Sequence, residues 1–427
     1  MTLLKWQRRP AAVLSKAGTT LPLYRQLMNA RKRESRLCFY RCHECGKEYD
    51  LEPHRLLCSD CAALQAPNLP LRGLLEVVQG RKPSNGRKVL EWLPVEERFF
   101  PSIPVGNTPL WQPSNLRRLT GFPHLYLKDD SLNPTGSLKD RASWLVVAMA
   151  QKHGLRNAFV ASTGNAAASL AGVCAAVGMQ AEVYIPRTAP PEKRVQAGQY
   201  GAQLHLVDGD YDAAFAESLK RCGKPGWICR NTALNPLTIE GKKTVSLEMY
   251  WQLRRQIPDR LFLAGGDGVI LSGVYKGFSD LRDQGYSDRM PVIYCVQSEG
   301  SQALARAWRE GSFPALPRPS RTVADSIAVH VPKAGFLAVK QMRKHGGVFL
   351  TVNDHEILSA QHELAATAGL FAEPAAAAAF AGFLKIRATL DPQERVVILI
   401  TGHGLKDIAS AQTGLTLGTP EKTAIPA

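Results

Sequence analysis

From Thr108 onward, short apolar runs alternate with longer stretches whose apolar positions recur at helical spacing. Eight runs read as strands: His124–Lys128, Ala158–Ser162, Ala181–Ile185, Gln203–Val207, Leu261–Ala264, Val292–Gln297, Val348–Val352 and Val396–Thr401. Helical patterns cover Leu138–His153, Ala166–Val177, Asp212–Arg221, Ile239–Arg255, Asp354–Ala368 and Pro374–Arg387. Apolar strands separated by helices predict parallel sheets with helices packed on them. Residues 66–105 differ. They form a Pro-punctuated connector, with one helix expected near Leu71–Gln79. The chain has 427 residues, too many for a single core, so two or three domains are expected.

Composition adds limits. Hydrophobic residues make up 45% and charged residues 21%, the balance of a globular protein. The longest apolar stretches, such as Trp144–Ala150, fall well short of the ~20 residues a membrane helix needs. The net charge of +16 invites a nucleic-acid partner. Its distribution argues against one: residues 1–41 carry ten Lys or Arg against the single acid Glu34, and the rest of the excess is scattered. A basic N-terminal arm on an enzyme with anionic ligands fits better. The arm has no secretory apolar core; an organelle transit peptide and a short extension on a cytoplasmic protein both fit it, and the second is preferred. Nine cysteines, an odd number, also suit reduced thiols and the cytoplasm.

Four of those cysteines cluster. Cys42, Cys45, Cys58 and Cys61 are spaced C-x2-C-x12-C-x2-C. Each pair can present two thiolates from one tight turn, and two turns complete a tetrahedron around zinc. Gly46 suits the first turn. Four thiolates leave no open position, so the expected role is structural. His43 and His54 are surplus to such a site.

Four strand-to-helix junctions carry unusual residues, and open α/β sheets bind ligands at the C-terminal ends of their strands. In the first, LYLKDDSLNPTGSLKDRAS at 125–143, Lys139 falls in the first helical turn. The positive helix end disfavours a second positive charge and helps keep such a lysine neutral and nucleophilic. The second, ASTGNAAASLAG at 161–172, offers free amides at a helix start for a carboxylate or phosphate. The third, LFLAGGDGVILSGVYKGF at 261–278, has glycines that let the backbone approach an anion, provided the Asp267 carboxylate turns away. The fourth, VVILITGHGLKD at 396–407, ends a buried strand at Thr401. Taken singly, each also reads as ordinary: a solvated lysine, a helix cap, a turn.

Together these segments resemble the threonine synthase family of fold-type II pyridoxal-phosphate enzymes. The resemblance runs from about Cys42 to Asp407 and includes GNTPL at 106–110, NPTGSLKDR at 133–141, STGN at 162–165, NPLTIEGKKT at 235–244 and TGHGLKD at 401–407. It implies an α/β fold with two open α/β domains, the cofactor in the cleft between them, and an N-terminal zinc-ribbon-like segment. The expected division is a basic extension (1–37), the ribbon (38–70), a connector with the first part of the large domain (71–140), the small domain (141–250), the large domain (251–412) and a tail (413–427).

The resemblance also implies roles. Lys139 would be the Schiff-base lysine of pyridoxal 5'-phosphate, and Asn165 would bond the ring hydroxyl. Gly266, Asp267, Gly268, Val269 and Ile270 would wrap the cofactor phosphate. Thr401 would face the ring nitrogen, where a hydroxyl, unlike an Asp, does not force protonation; elimination or replacement is then favoured over transamination. Ser162, Thr163 and Gly164 would hold the substrate carboxylate. The implied reaction turns O-phosphohomoserine and water into threonine and phosphate, with a small-molecule amino-acid substrate and a homodimer left open. Two departures favour a related dehydratase or β-replacement enzyme. Thr238 stands where family members often carry a phosphate-binding Arg, and TVADSIAV at 322–329 looks dehydratase-like. Lys193, Arg194, Lys242 and Lys243 are the nearby cations that could take over from the missing Arg.

Overall fold

The structure is a computed structural model that describes residues 38–187, 189 and 191–417. The expected basic arm, 1–37, and residues 418–427 of the expected tail lie outside the described residues. Up to Leu417 the tail region is helical, in the helix Ile408–Leu417.

Three sheets organise the chain. The first is a small antiparallel sheet of β1 (Cys38–Cys42), β2 (Glu48–Tyr49) and β3 (Leu75–Gln79), ordered β2-β1-β3. β3 corrects the helix expected over Leu71–Gln79. The run LEVVQ pairs along its whole length with β1, Cys42 opposite Leu75 and Cys38 opposite Gln79. Two adjacent valines and this available edge outweigh a weak helical pattern.

The second sheet has six strands: β4 (Leu110–Trp111), β5 (Leu125–Asp129), β10 (Arg260–Ala264), β11 (Val292–Ser298), β12 (Val348–Val352) and β13 (Val396–Ile400). Their order is β12-β11-β10-β13-β5-β4, parallel except for the β4–β5 pair. The third sheet is parallel and holds β6 (Asn157–Ala161), β7 (Gln180–Pro186), β8 (Gln203–Val207) and β9 (Trp227–Cys229), ordered β8-β7-β6-β9. The all-buried pattern of β13 and the apolar faces of the Ala-rich helix Pro374–Ile386 close one core. The Ala run packs helix against strand at close range without loss of helix propensity.

The stretch read as one helix over Ile239–Arg255 is two, Leu237–Lys242 and Thr244–Gln252. Lys243 between them keeps helical angles of φ −58° and ψ −24°. The second stops early because Arg254 and Arg255 adopt φ of 57° and 65°, which no helix continues.

This topology fixes where a site forms. β5, β13 and β10 are neighbours and run parallel, so the segments after Asp129, Ala264 and Ile400 leave the same sheet edge side by side. The segment after β6 arrives from the other sheet.

Candidate active site

Lys139 is placed by a clamp between the first and fourth junctions. Gly136 turns at φ 84°, Ser137 bridges to Gly402, and the amide of His403 donates to the carbonyl of Gly136 at 3.1 Å. The amide of Leu138 donates to the carbonyl of Thr401 at 2.9 Å. Lys139 therefore opens the helix Lys139–Lys152 one residue after the chain is tied to the end of β13. Two further residues of the same motif hold that turn. The Asp140 carboxylate accepts from the Thr135 amide at 2.7 Å and from its hydroxyl at 2.5 Å. Arg141, fully buried, bridges Asp130 at 2.6 and 2.8 Å and Glu248 at 2.6 and 2.8 Å.

The second junction starts the helix Asn165–Ala175. Ser162 Oγ accepts from the Gly164 amide at 3.0 Å, which holds the turn in place. Asn165 is buried, and its Nδ2 donates to both carboxylate oxygens of Glu373, at 3.0 and 2.9 Å, and to Ser326 Oγ at 3.2 Å. Its Oδ1 is buried with no partner.

The third junction makes a cradle of backbone. Gly268 sits at φ 82° before the helix Val269–Asp283, and a Cβ there would lie 2.9 Å from that of Ala338. A Cβ on Gly266 would lie 2.8 Å from Ile327 Cα. Only glycine fits either position. The first amides of the helix have no intrahelical acceptor and are open to an anion. Asp267 does turn away, as an anion there requires: its carboxylate accepts from the Lys333 amide at 2.5 Å, and its carbonyl from the Ala334 amide at 3.0 Å. Burial raises its pKa.

All eleven residues singled out for cofactor and substrate meet in one cleft of about 330 Å³. They are Lys139, Ser162, Thr163, Gly164, Asn165, Gly266, Asp267, Gly268, Val269, Ile270 and Thr401. The donor set suits pyridoxal phosphate: a lysine, an amide cradle for a phosphate, an orphaned Asn165 oxygen for a ring hydroxyl, and a hydroxyl-bearing residue at the strand end.

Sequence reasoning missed Glu373. It lies just before the Ala-rich helix, where an acid with a following proline reads as a mere cap, yet it is buried and joins Asn165 across the cleft. Of the four cations proposed for a phosphate, Lys242 lines the cleft. Lys243 is instead tied to Glu240 at 2.5 Å and Asp280 at 2.7 Å. Arg194 is half-buried on the helix Pro191–Gln199, and the Lys193 side chain lies outside the described residues.

Apart from the cleft, Cys42, Cys45, Cys58 and Cys61 bring their sulfurs within 4.8 Å of one another. Gly46 holds the first turn at φ 75°, its amide donating to the carbonyl of Cys42 at 3.0 Å. Burial opposes ionisation of Cys58, but hydrogen bonds led by that from the Tyr49 hydroxyl bring its pKa down to about 6.

Comparison with known proteins agrees with this geometry. The sequence profile of the family described as "Pyridoxal-phosphate dependent enzyme" matches residues 102–402. The threonine synthase of Methanocaldococcus jannaschii is 34% identical over 376 residues, covering 86% of this chain and 92% of that protein. The threonine synthase of Mycobacterium bovis is 32% identical over 345 residues, covering 80% and 91%. Among solved structures, maize serine racemase superposes with a TM-score of 0.62 at 21% identity, covering 73% of this chain and 92% of that one. The processed form of threonine deaminase isoform 2 from Solanum lycopersicum does so at 0.63 and 20% identity, covering 79% and 91%. These two share the fold. No helix among the described residues is long and apolar enough to cross a membrane. By profile, sequence and fold, the chain belongs to the pyridoxal-phosphate dependent enzymes and, within them, to the threonine synthase family.

Proposed function

We propose that the protein converts O-phosphohomoserine and water to threonine and phosphate. The observation that carries this reading is the convergence of Lys139, the amide cradle at 266–270 and Thr401 in one cleft, in a chain 34% identical to a threonine synthase over most of its length. When bound there, pyridoxal phosphate supplies a sink for the electrons left at the substrate α-carbon. The protein's own groups do the rest. The amides of Gly266, Asp267, Gly268, Val269 and Ile270 hold the cofactor phosphate at a helix start. Asn165 Oδ1 accepts from the ring hydroxyl, and Glu373 fixes the Asn165 amide in that orientation. Ser162, Thr163 and Gly164 take the substrate carboxylate at the other helix start. The Lys139 amine holds the cofactor between turnovers and moves the α-proton during them. Thr401 gives the ring nitrogen a hydroxyl rather than a carboxylate, and that favours elimination and replacement.

The same reading places one zinc at Cys42, Cys45, Cys58 and Cys61, supported by four thiols in tetrahedral reach. A cytoplasmic setting fits nine cysteines without a disulfide among them.

The test is a substrate panel on purified enzyme, with phosphate release and 2-oxoacid formation measured together. Phosphate and threonine in equal amounts from O-phosphohomoserine are expected. Ammonia and 2-oxoacid from serine or threonine, without phosphate release from O-phosphohomoserine, would replace the synthase with the dehydratase that Thr238 favours.

A further inference from the structure

Among the described residues, five cationic side chains are at most 1% exposed: Lys128, Arg141, Arg230, Lys242 and Lys243. Three are neutralised by carboxylates. Lys128 pairs with Glu248 at 2.7 Å, Arg141 with Asp130 and Glu248 at 2.6 Å each, and Lys243 with Glu240 and Asp280. Among the described residues, no ion pair holds the other two.

Lys242 closes the helix Leu237–Lys242 and lines the cleft beside Lys139. Its Nζ donates to the carbonyl of Thr238, one turn back, at 2.9 Å. Arg230 follows β9. Its Nε donates to Ser143 Oγ at 3.0 Å and its Nη2 to the carbonyl of Lys139 at 3.4 Å, while Nη1 is buried with no partner. The negative group that acts on Lys242 is Asp267, whose carboxylate is already bonded to the Lys333 amide. Burial, and then the positive charges of Arg230 and Lys139, push the Lys242 pKa well below the usual lysine range.

A buried lysine with no carboxylate beside it gives up its proton readily, and an anion that enters the cleft next to it restores the charge and is held by it. The cofactor phosphate already has the helix-start amides of the 266–270 cradle. We infer that Lys242, supported by Arg230, forms a second anion pole in the cleft, one that recognises the phosphate at the far end of a phosphorylated amino-acid substrate. This rests on the proposed reaction and adds to it the residues that select a phosphorylated substrate over a bare hydroxy amino acid.

The test uses holoenzyme and inorganic phosphate as the probe. Wild type, Lys242→Gln and Lys242→Arg are titrated with phosphate by calorimetry, and KM for O-phosphohomoserine is measured on the same preparations. A charge-assisted hydrogen bond lost in Lys242→Gln should weaken phosphate binding roughly tenfold or more and raise KM similarly. Lys242→Arg should stay close to wild type in both. Cofactor affinity, from titration of apoenzyme, should be the same in all three.

Equal phosphate affinity in wild type and Lys242→Gln overturns the inference. So does a loss confined to cofactor affinity, which would give the lysine to the cofactor's own phosphate. If Lys242→Gln does not fold, Lys242→Met carries the same comparison. If wild type releases no phosphate from any phosphorylated amino acid, the proposed reaction fails separately, and the phosphate titration still decides the anion site.

Discussion

At the scale of single residues, the motif NPTGSLKDR divides into chemistry and support. Lys139 faces the cleft, whereas Asp140 and Arg141 point into the protein and hold the turn that presents it. Arg141→Ala would leave Asp130 and Glu248 buried without their partner, at a cost of about 3–5 kcal/mol. Urea unfolding measures this, and a loss under about 1 kcal/mol, the worth of a surface pair, would contradict the buried-network reading. Glu248 makes the same network sensitive to pH. Burial alone would raise its pKa, but Arg141 and Lys128 hold it at about 2, against an ordinary 4.5. A depressed folded pKa stabilises the fold above the unfolded value, and that stability is lost as pH falls from about 4.5 toward 2. In that window wild type should lose stability more steeply than Glu248→Gln, by up to ~1.4 kcal/mol per pH unit for one proton. Parallel curves would show that Glu248 is not the titrating group. Thr401 carries the claim about reaction class. Thr401→Asp places a carboxylate where the ring nitrogen is expected and favours its protonation. The ratio of phosphate to 2-oxoacid products should fall; an unchanged ratio would leave Thr401 as a strand-end residue only.

At the scale of elements, the ribbon and the backbone cradle at 266–270 are mechanically joined. Leu74 packs in one buried cluster with Val269, Ala334 and Leu337. The amide of Leu71 donates to the carbonyl of Lys333 at 3.0 Å, and the amide of Lys333 in turn holds Asp267. Gly73 is needed at this joint, since it sits at φ 71° with its Cβ position 2.9 Å from the carbonyl of Cys58. Replacing Cys45 and Cys58 by Ser should therefore abolish binding of one zinc and also speed loss of the cofactor on dialysis. Zinc loss with cofactor retention equal to wild type would show that the two elements are energetically independent. This joint was not legible beforehand. The cysteine spacing announces a metal site in sequence, but the β3 pairing that carries it to the cradle rests on contacts with β1, about 35 residues away by pairing register. The interior strands read from apolar runs, such as β6, β10 and β13, were by contrast legible because burial on both faces leaves an unambiguous pattern, whereas the edge strand β8 is exposed or half-buried along its length and shows only as a short apolar run. β4 and β9, at two and three residues, are too short to carry one.

At the scale of the whole molecule, the cleft is assembled by topology rather than by any one motif. β5, β13 and β10 lie side by side, so three junctions far apart in sequence share an edge, and β6 brings the fourth from the other sheet. Motif residues at those junctions could be read from the sequence because glycines, caps and a lysine after a turn have local causes. Glu373 and Arg230 could not, because a buried acid or arginine looks like any surface charge until the fold encloses it, and only the fold separates Lys242 from the three other cations named with it. The central claim is that this enclosed cleft holds pyridoxal phosphate on Lys139. The most direct measurement is borohydride reduction of the holoenzyme, proteolysis, and mass mapping of the cofactor-bearing peptide. The cofactor mass should sit on Lys139 alone and be missing from Lys139→Ala. A label on another lysine, or one that survives in Lys139→Ala at wild-type amount, would contradict the account.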